Sequence, residues 1–407
     1  MKLFHLADLH LGKSLYDCSL IESGDQDKWV TDLLDFTKTH QPDAVLIAGD
    51  VYDRGVPAKE AVTLLTRLLT GLADQGLPVF LVAGNHDGGE RLEFAAELLS
   101  RQNIYIAGQV TKLLPHTTLR DEYGPVDIWL MPYLFPAAVR DVLDGDESIT
   151  GFDAAARALL AAQPIDPTRR NVLVAHQLVV NGEEAPRWSG SETSVGGVGQ
   201  IDVSALDAFT YAALGHIHGA GPVGRPGVRY AGSPLCYHFS EIGQVKGPLL
   251  VTLGAPGTEP TVEQFTLAPL HPLREIRGEL EQLILQERAN PARGEFIRAV
   301  LTDERVQANA RETLDALLKE KGSRLMEVVR EAKLPTAAGV GGSAAAAEKS
   351  VLEHFMDFYS RQTGGCDPEE GELALLRFAA ECFEQGGETT DESMVTALVD
   401  FALKEED

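Results

Sequence analysis

The feature that most constrains this chain is a repeated pairing of a short apolar run with a polar loop rich in metal-ligand side chains. The first three runs cover residues 2–6, 44–48 and 78–82. Longer segments with apolar residues at helical spacing, such as the one from Ala61 to Leu72, alternate with these runs. This alternation predicts a largely parallel sheet, and the continuous apolar strands predict that both of its faces are covered.

The rest of the chain adds a second sheet, a small unit and a tail. Residues 104–266 are richer in short apolar runs, with one helical segment at 153–163, and predict a sheet-on-sheet core. We therefore expect an α/β protein whose two-sheet core has helices on both faces, then a small α+β unit and a C-terminal helical segment. The expected domains are a core at 1–271, a small unit at 272–335, a flexible linker at 336–347 and a helical segment at 348–407.

Composition excludes several classes of protein. With 407 residues, 44% of them hydrophobic, the chain is neither disordered nor fibrous. No apolar run approaches the roughly 20 residues of a membrane helix, and because an apolar strand begins at residue 2 we expect no cleavable leader. Four cysteines without C-x-x-C spacing favour a reducing cytoplasm. The formal charge of −26 argues against a general affinity for nucleic acid.

Five predicted strands end in side chains that bind metals. These ends are Asp8-Leu9-His10, Gly49-Asp50, Gly84-Asn85-His86-Asp87, His176 and Gly215-His216-Ile217-His218. In an extended chain, Asp8 and His10 would point the same way and face one ion. Taken singly, each motif has an ordinary explanation, such as an Asn or Asp helix cap. Five of them in this order, each closing a predicted strand, favour a metal site.

The donor atoms indicate which metal such a site would take. Oxygen and nitrogen ligands without sulfur suit Mn²⁺, Mg²⁺ or iron. Two ions about 3.5–4 Å apart need a bridging ligand, and such a pair activates water for attack at phosphorus. Asp50, on the central strand, is the natural bridge. A loose phosphate-loop match at residues 7–14 is a poor nucleotide site, because Asp8 and His10 would stand inside the loop.

The order of these motifs, from residue 8 to residue 218, resembles the calcineurin-like metallophosphoesterases. A narrower resemblance, to the nuclease subunits of bacterial DNA-repair complexes, rests on residues 194–197, 213–219, 230–235, 237–241 and 273–278. The resemblance implies two Mn²⁺ ions, with Mg²⁺ as the alternative. It assigns one ion to Asp8, His10, Asp50 and His218, and the other to Asp50, Asn85, His176 and His216.

The same resemblance implies roles for residues beside the metals. His86 would stabilise charge at the scissile phosphate or protonate the departing oxygen, and Asp87 would orient His86. Archaeal relatives carry a histidine at the position of Asp53, so the resemblance gives that residue no role.

The resemblance also implies a substrate and partners. The activity would be double-strand exonuclease and single-strand endonuclease action on DNA, with the small unit capping the site and contacting DNA. A helix at 91–99 would form a homodimer interface, and residues 348–407 would dock on a coiled-coil ATPase. Because the chain is acidic, we expect weak DNA binding by this chain alone. The candidates for a basic rim are Lys13, Arg54, Arg91 and Arg187.

A phosphoprotein or small-molecule phosphatase is the alternative. Residues 49–55, Gly-Asp-Val-Tyr-Asp-Arg-Gly, are close to the loop of serine/threonine phosphatases in which an arginine grips phosphate. The small unit and the tail favour the nuclease, since a compact phosphatase needs neither. A non-catalytic scaffold is disfavoured because no expected ligand is missing.

Overall fold

The computed structural model describes residues 1–182, 189–190, 199–303, 309–331 and 356. The chain divides into two compact units, Met1–Ala332 and Lys333–Asp407. The expected linker, and all but one residue of the expected helical segment, lie outside the described residues. None of the helices in the described part is long and apolar enough to cross a membrane.

The first sheet has six strands and is built around the N-terminal strand. Its order is Thr261–Gln264, Leu249–Thr252, Lys2–Leu6, Ala44–Ala48, Val79–Val82 and Ile104–Ala107. The last four of these strands are parallel. Their carboxyl ends, and the loops that follow them, therefore meet at one edge of the sheet.

The second sheet also has six strands. Its order is Gly221–Val223, Arg225–Tyr230, Tyr211–Gly215, Arg170–His176, Gly124–Met131 and His116–Asp121. The four inner strands are parallel, and the two outer ones are antiparallel to their neighbours. A two-stranded ribbon of Leu178–Val180 and Gln200–Asp202 follows Arg170–His176.

The two sheets pack face to face, and helices cover their outer faces. Apolar side chains from both sheets, including Leu46, Phe80 and Val174, form the layer between them. Helices Asp25–His40 and Lys59–Asp74 pack on the first sheet, and Phe152–Ala161 packs on the second. The remaining short helices are Gly89–Leu92, Ala96–Ser100, Pro136–Val142, and the 3-10 turns Val203–Leu206 and Phe239–Glu241. The expected two-sheet α/β core with helices on both faces is confirmed.

A small three-stranded parallel sheet follows the core. Its order is Leu273–Gly278, Phe296–Leu301 and Arg324–Arg330, and it packs on helices Leu280–Ala289 and Ala310–Lys319. A hairpin of Ser14–Leu15 and Cys18–Ser19 extends from the core towards it. The Tyr16 hydroxyl donates to Glu327 Oε2 at 2.9 Å. A shared apolar cluster of Leu15, Tyr237, Phe239, Phe296 and Met326 joins the small sheet to the core.

Sequence patterning missed several strands, among them His116–Asp121 and Leu273–Gly278, and joined two helices. Strand His116–Asp121 has no fully buried residue, and Leu273–Gly278 buries only Ile276, so neither has an apolar run. The expected helix at 91–99 is instead two helices, Gly89–Leu92 and Ala96–Ser100, because Ala95 between them has a left-handed backbone with φ 62°. The expected domain boundaries stay predictions.

One histidine is buried between the sheets without belonging to any metal motif. His5 has no exposed surface. Its Nδ1 lies 2.9 Å from the Tyr211 hydroxyl, and its Nε2 lies 3.2 Å from the carbonyl oxygen of Leu214. Burial lowers the pKa of His5 from 6.5 to about 3, with a smaller contribution from Arg229. The native state therefore holds this ring neutral.

The neutral His5 ring predicts a loss of stability in mild acid. In the unfolded chain the His5 ring binds a proton below pH 6.5, whereas in the native state it does so only near pH 3. The contribution of His5 to the free energy of unfolding therefore falls as the pH drops from 7 to 5. Linkage puts the loss at about 2 kcal/mol. In urea titrations between pH 7 and pH 5, the free energy of unfolding of the wild type should fall by about 2 kcal/mol more than that of His5→Gln. His116→Gln, at an exposed position, should match the wild type. Equal losses in wild type and His5→Gln would contradict this account.

Candidate metal centre

Backbone hydrogen bonds tie the metal-ligand loops together where the strands end. Asp8 N–H donates to Gly49 O at 3.0 Å, and His10 N–H donates to Asp50 O at 2.9 Å, so the first two loops run side by side. His216 N–H donates to Asp8 Oδ1 at 2.9 Å, which ties a loop of the second sheet to the first sheet. The carboxyl edges of both sheets therefore open onto one cluster.

Four of the expected ligands have a left-handed backbone. The φ angle is 53° at Asp8, 42° at His10, 45° at Asp50 and 99° at His216. Such conformations cost about 1–3 kcal/mol each and concentrate at functional sites. These angles also correct one expectation. The first strand ends at Leu6, so Asp8 and His10 come together because the backbone turns, and not because they alternate along an extended strand.

A first group of donors consists of Asp8, His10 and His218. One ligand atom from each lies within 4.8 Å of the others. The Nε2 atoms of His10 and His218 are 3.2 Å apart. All three side chains are buried, and the Tyr237 ring packs edge-on against both imidazoles. Two ring nitrogens that face each other beside a buried carboxylate form a group that could bind one ion.

A second group of donors surrounds Asp50 from the other side. His176 Nε2 lies 3.4 Å from Asp50 Oδ2 and 3.0 Å from Asn85 Oδ1. His216 Nδ1 lies 3.1 Å from the same Asn85 oxygen. His10 Nε2, from the first group, lies 3.6 Å from Asp50 Oδ2. Asp50 therefore stands between the two groups, and the structure brings all seven expected ligands into one cluster.

Close packing around Asp50 leaves no room for a side chain at Gly84. A Cβ there would lie 2.1 Å from Asp50 Oδ1 and 2.3 Å from the Asp50 nitrogen. The third metal-ligand loop can therefore approach the second only with glycine at this position.

Burial and mutual charge set the protonation of the cluster. Burial raises the pKa of Asp8 to about 6 and lowers that of His10 to about 4. Burial and the neighbouring His176 lower the pKa of His216 to about 3. Burial alone would lower the pKa of His176, but Asp50 and Asp8 outweigh it and raise that pKa to about 9. A protonated His176 thus compensates part of the carboxylate charge, as a bound cation would.

The donor set fits a divalent cation. Asp8 Oδ2 is buried and has no hydrogen-bond partner within the described part of the chain. The converging atoms are carboxylate oxygens, imidazole nitrogens and an amide oxygen, without sulfur. The oxygens suit Mn²⁺ or Mg²⁺ and the imidazoles suit iron or zinc as well, so the set fits a divalent cation without selecting one.

His86 lies at the mouth of this cluster. Its side chain is 34% exposed, and Nε2 lies 4.0 Å from Asp50 Oδ2. The other ring nitrogen, Nδ1, lies 3.1 Å from the carbonyl oxygen of Asp53 and donates to it when protonated. That contact turns Nε2 towards the cluster, where a substrate phosphate would lie.

The structure corrects the expectation that Asp87 orients His86 through its carboxylate. Asp87 accepts hydrogen bonds from the backbone N–H groups of Val51, Tyr52 and Gly84, at 2.8 to 3.0 Å. The carboxylate points back into the turn because those three amides converge there. Asp87 therefore holds the Asp50 and Gly84 loops together, and Asp53 is the residue whose carbonyl contacts the His86 ring.

Sequence patterns also missed Glu241 and Lys246, which lie directly behind His218. Burial alone would raise the pKa of Glu241, but His218 and Lys246 hold it well below its ordinary range. Neither residue closes an apolar strand, and Glu241 is 23 positions from His218, so no local spacing could have connected them.

The chain matches models of known protein families. A family model described as "Calcineurin-like phosphoesterase" matches residues 1–219, and one described as "Type 5 capsule protein repressor C-terminal domain" matches residues 269–363. The first match covers more than half of the chain and makes it a calcineurin-like phosphoesterase.

One curated relative assigns the chain to a narrower family. The SbcD subunit of the nuclease SbcCD from Staphylococcus epidermidis is 31% identical over 294 residues, which cover 71% of this chain and 75% of that protein. The chain belongs to this SbcD family of nuclease subunits, and it is a metal-dependent phosphodiesterase. Among solved structures, a dimetal phosphatase from Danio rerio is 11% identical with a TM-score of 0.36, covering 65% of this chain and 99% of its own.

The tight contact at Gly84 predicts that Gly84→Ala disrupts the site. The added Cβ must displace Asp50, and a displacement of about 1 Å costs on the order of 100-fold in activity. We therefore expect hydrolysis of bis(p-nitrophenyl) phosphate with Mn²⁺ to fall by about that factor while circular dichroism stays unchanged. Gly151→Ala is the matched control, since its Cβ would meet nothing within 4 Å. Wild-type activity in folded Gly84→Ala would refute the packing argument.

Proposed function

We propose that the chain is a manganese-dependent DNA nuclease with two metal ions, Mg²⁺ being the alternative metal. Asp8, His10, Asp50 and His218 would hold one ion, and Asp50, Asn85, His176 and His216 the other. The observation that carries the proposal is the convergence of both donor groups on Asp50, whose Oδ2 lies within 3.6 Å of His10 on one side and 3.4 Å of His176 on the other.

The chemistry would divide between the metals and His86. Bound divalent cations supply positive charge beside the scissile phosphate and promote deprotonation of water. His86 Nε2 would contact the phosphate and give a proton to the departing oxygen. Asp53 would hold the ring through its carbonyl, and Asp87 would fix the loops that carry Asp50 and His86.

The proposed substrate and partner are supported by the family. The relative's name makes it the SbcD component of the SbcCD nuclease. We infer that this chain also works with an SbcC-like coiled-coil ATPase on DNA, as a double-strand exonuclease and single-strand endonuclease in end processing, repair, recombination and replication. Residues 348–407 would be the docking segment, and 336–347 its linker. The scattered cysteines favour the reducing cytoplasm.

Two surfaces support further parts of the proposal. Around the two short helices after Asp87, Phe94 is 82% exposed and Leu98 is 62% exposed, as expected of apolar residues covered in a homodimer. The small unit at 272–335 would cap the site, since its residues Phe296 and Met326 pack against Tyr237, which also contacts the His10 ring.

A phosphatase remains the second candidate because of Arg54. Its side chain is 84% exposed, and Nε lies 3.9 Å from Asp53 Oδ2. An exposed guanidinium next to the site could bind a terminal phosphate in the bidentate manner that arginine allows.

Cleavage assays separate these functions. With Mn²⁺, the chain should degrade linear duplex DNA and leave phosphopeptides intact, and His86→Ala should lower DNA cleavage by about 10²–10⁴-fold because the proton donor is lost. Isothermal titration calorimetry of His86→Ala should still find two Mn²⁺ ions. His116→Ala, at an exposed position, is the control and should cleave as the wild type does.

Two results would change the assignment. Dephosphorylation of peptides without any DNA cleavage would replace the nuclease with the phosphatase. Loss of a Mn²⁺ ion in His86→Ala would make His86 a ligand rather than a proton donor.

Deleting the tail tests the docking segment. A chain ending at Glu331 should no longer co-purify an SbcC-like ATPase that the full chain retains, because the docking residues are gone. Its Mn²⁺-dependent hydrolysis of bis(p-nitrophenyl) phosphate should persist, which serves as the folding control. Undiminished co-purification would place the docking surface within residues 1–331.

A further inference from the structure

A buried ion pair lies directly behind His218 and outside the proposed ligand set. Glu241 has no exposed surface and Lys246 is 7% exposed. Glu241 Oε2 lies 2.6 Å from Lys246 Nζ. Removing both charges from water is costly, and a pair of apolar side chains would fill the same space without that cost. The contacts that this pair makes therefore decide what it contributes to the site.

The pair contacts both the ring and the backbone of His218. Glu241 Oε1 lies 3.4 Å from the ring nitrogen Nδ1. Lys246 Nζ donates to the carbonyl oxygen of His218 at 2.8 Å and to Ser233 Oγ at 2.7 Å. Ser233 N–H donates to the same His218 carbonyl at 3.1 Å. The carboxylate thus fixes the ring while the ammonium and Ser233 fix the peptide that carries it.

The contact at Nδ1 determines which ring nitrogen presents its lone pair to a cation. A carboxylate only accepts hydrogen bonds, so it favours the form of His218 with the proton on Nδ1. The lone pair then lies on Nε2, the atom that faces His10 Nε2 at 3.2 Å. Carboxylate partners of this kind set ring orientation and ligand basicity at metal-binding histidines.

We propose that Glu241, held by Lys246, is a positioning residue that keeps His218 oriented and in the form that presents Nε2 to the first metal ion. The proposal rests on the ligand assignment made above. A purely structural role is the competing explanation, because Glu241 Oε2 also accepts from Tyr237 N–H at 3.2 Å and so braces the 233–241 segment. The two explanations differ in whether metal affinity and the His218 proton depend on Glu241.

Glu241→Gln tests the proposal in the full chain. The amide would direct its oxygen to Lys246 and its NH₂ to His218 Nδ1, which can no longer donate, so the proton moves to Nε2. We expect Mn²⁺ binding at one of two sites to weaken by roughly 10–100-fold in calorimetry. In the metal-free chain, ¹⁵N spectra of labelled histidine should show the His218 proton on Nδ1 in the wild type and on Nε2 in Glu241→Gln.

Glu287→Gln is the matched control. Glu287 is another buried carboxylate, 3% exposed, bonded to Arg274 in the small unit at 2.8 Å. The Glu287→Gln substitution should lower the melting temperature. It should leave both Mn²⁺ affinities and the position of the His218 proton unchanged. If Glu241→Gln fails to fold because Lys246 is left uncompensated, the neutral double variant Glu241→Gln/Lys246→Met replaces it, with the same weakening expected.

The outcomes separate this inference from the proposed function. Wild-type Mn²⁺ affinities with the proton still on Nδ1, in either folded variant, would overturn the positioning role and leave the ligand assignment standing. A wild-type chain that binds no Mn²⁺ would overturn the ligand assignment, and the inference with it.

Discussion

The rest of the structure depends on a carboxylate, Asp50, buried where the two sheets meet. Only 3% of Asp50 is exposed, and a carboxylate is stable so far from water only when nearby groups compensate its charge. Compensation comes from the protonated His176, on a strand of the second sheet, whose Nε2 lies 3.4 Å from Asp50 Oδ2. Electrostatic attraction at one edge therefore adds to the apolar packing between the sheets in holding them in register. The left-handed backbone at Asp8 and the absence of a side chain at Gly84 are local consequences of bringing so many donors to one point.

Much of the cluster could be predicted from the sequence because its information is local. Each expected ligand directly follows an apolar run, and the carboxyl ends of parallel strands meet at one edge regardless of the details of packing. The physical reason assumed for Asp8 and His10 was nevertheless wrong. Extended alternation would require the strand to continue past Leu6, whereas tight turns with positive φ bring the two side chains together. Residues that the structure brings together were thus predicted from an incorrect local geometry.

The remaining features could not be predicted because they depend on contacts between distant segments. The Asp87 carboxylate binds amides 35 and 36 positions earlier in the chain, and Glu241 reaches a histidine 23 positions before it. No periodicity connects such pairs. The break at Ala95 is also not predictable from the sequence pattern, since alanine is the best helix former and nothing local marks its left-handed backbone, with φ 62°.

The acidic residues are unevenly distributed along the chain, and their positions affect how the chain could bind DNA. Residues 348–407 hold 16 acidic and 4 basic side chains, a net charge of −12. In the core, several carboxylates face inward, Asp50 among them, and two divalent cations would offset them. In the expected basic rim, Lys13 Nζ lies 2.7 Å from Asp53 Oδ1, and the Lys13 side chain is only 16% exposed. The Arg54 side chain is 84% exposed. Arg187 lies outside the described residues. With Lys13 engaged, Arg54 and Arg91 are the exposed members of that rim within the described residues, and we expect the net acidic chain to bind DNA weakly without a partner.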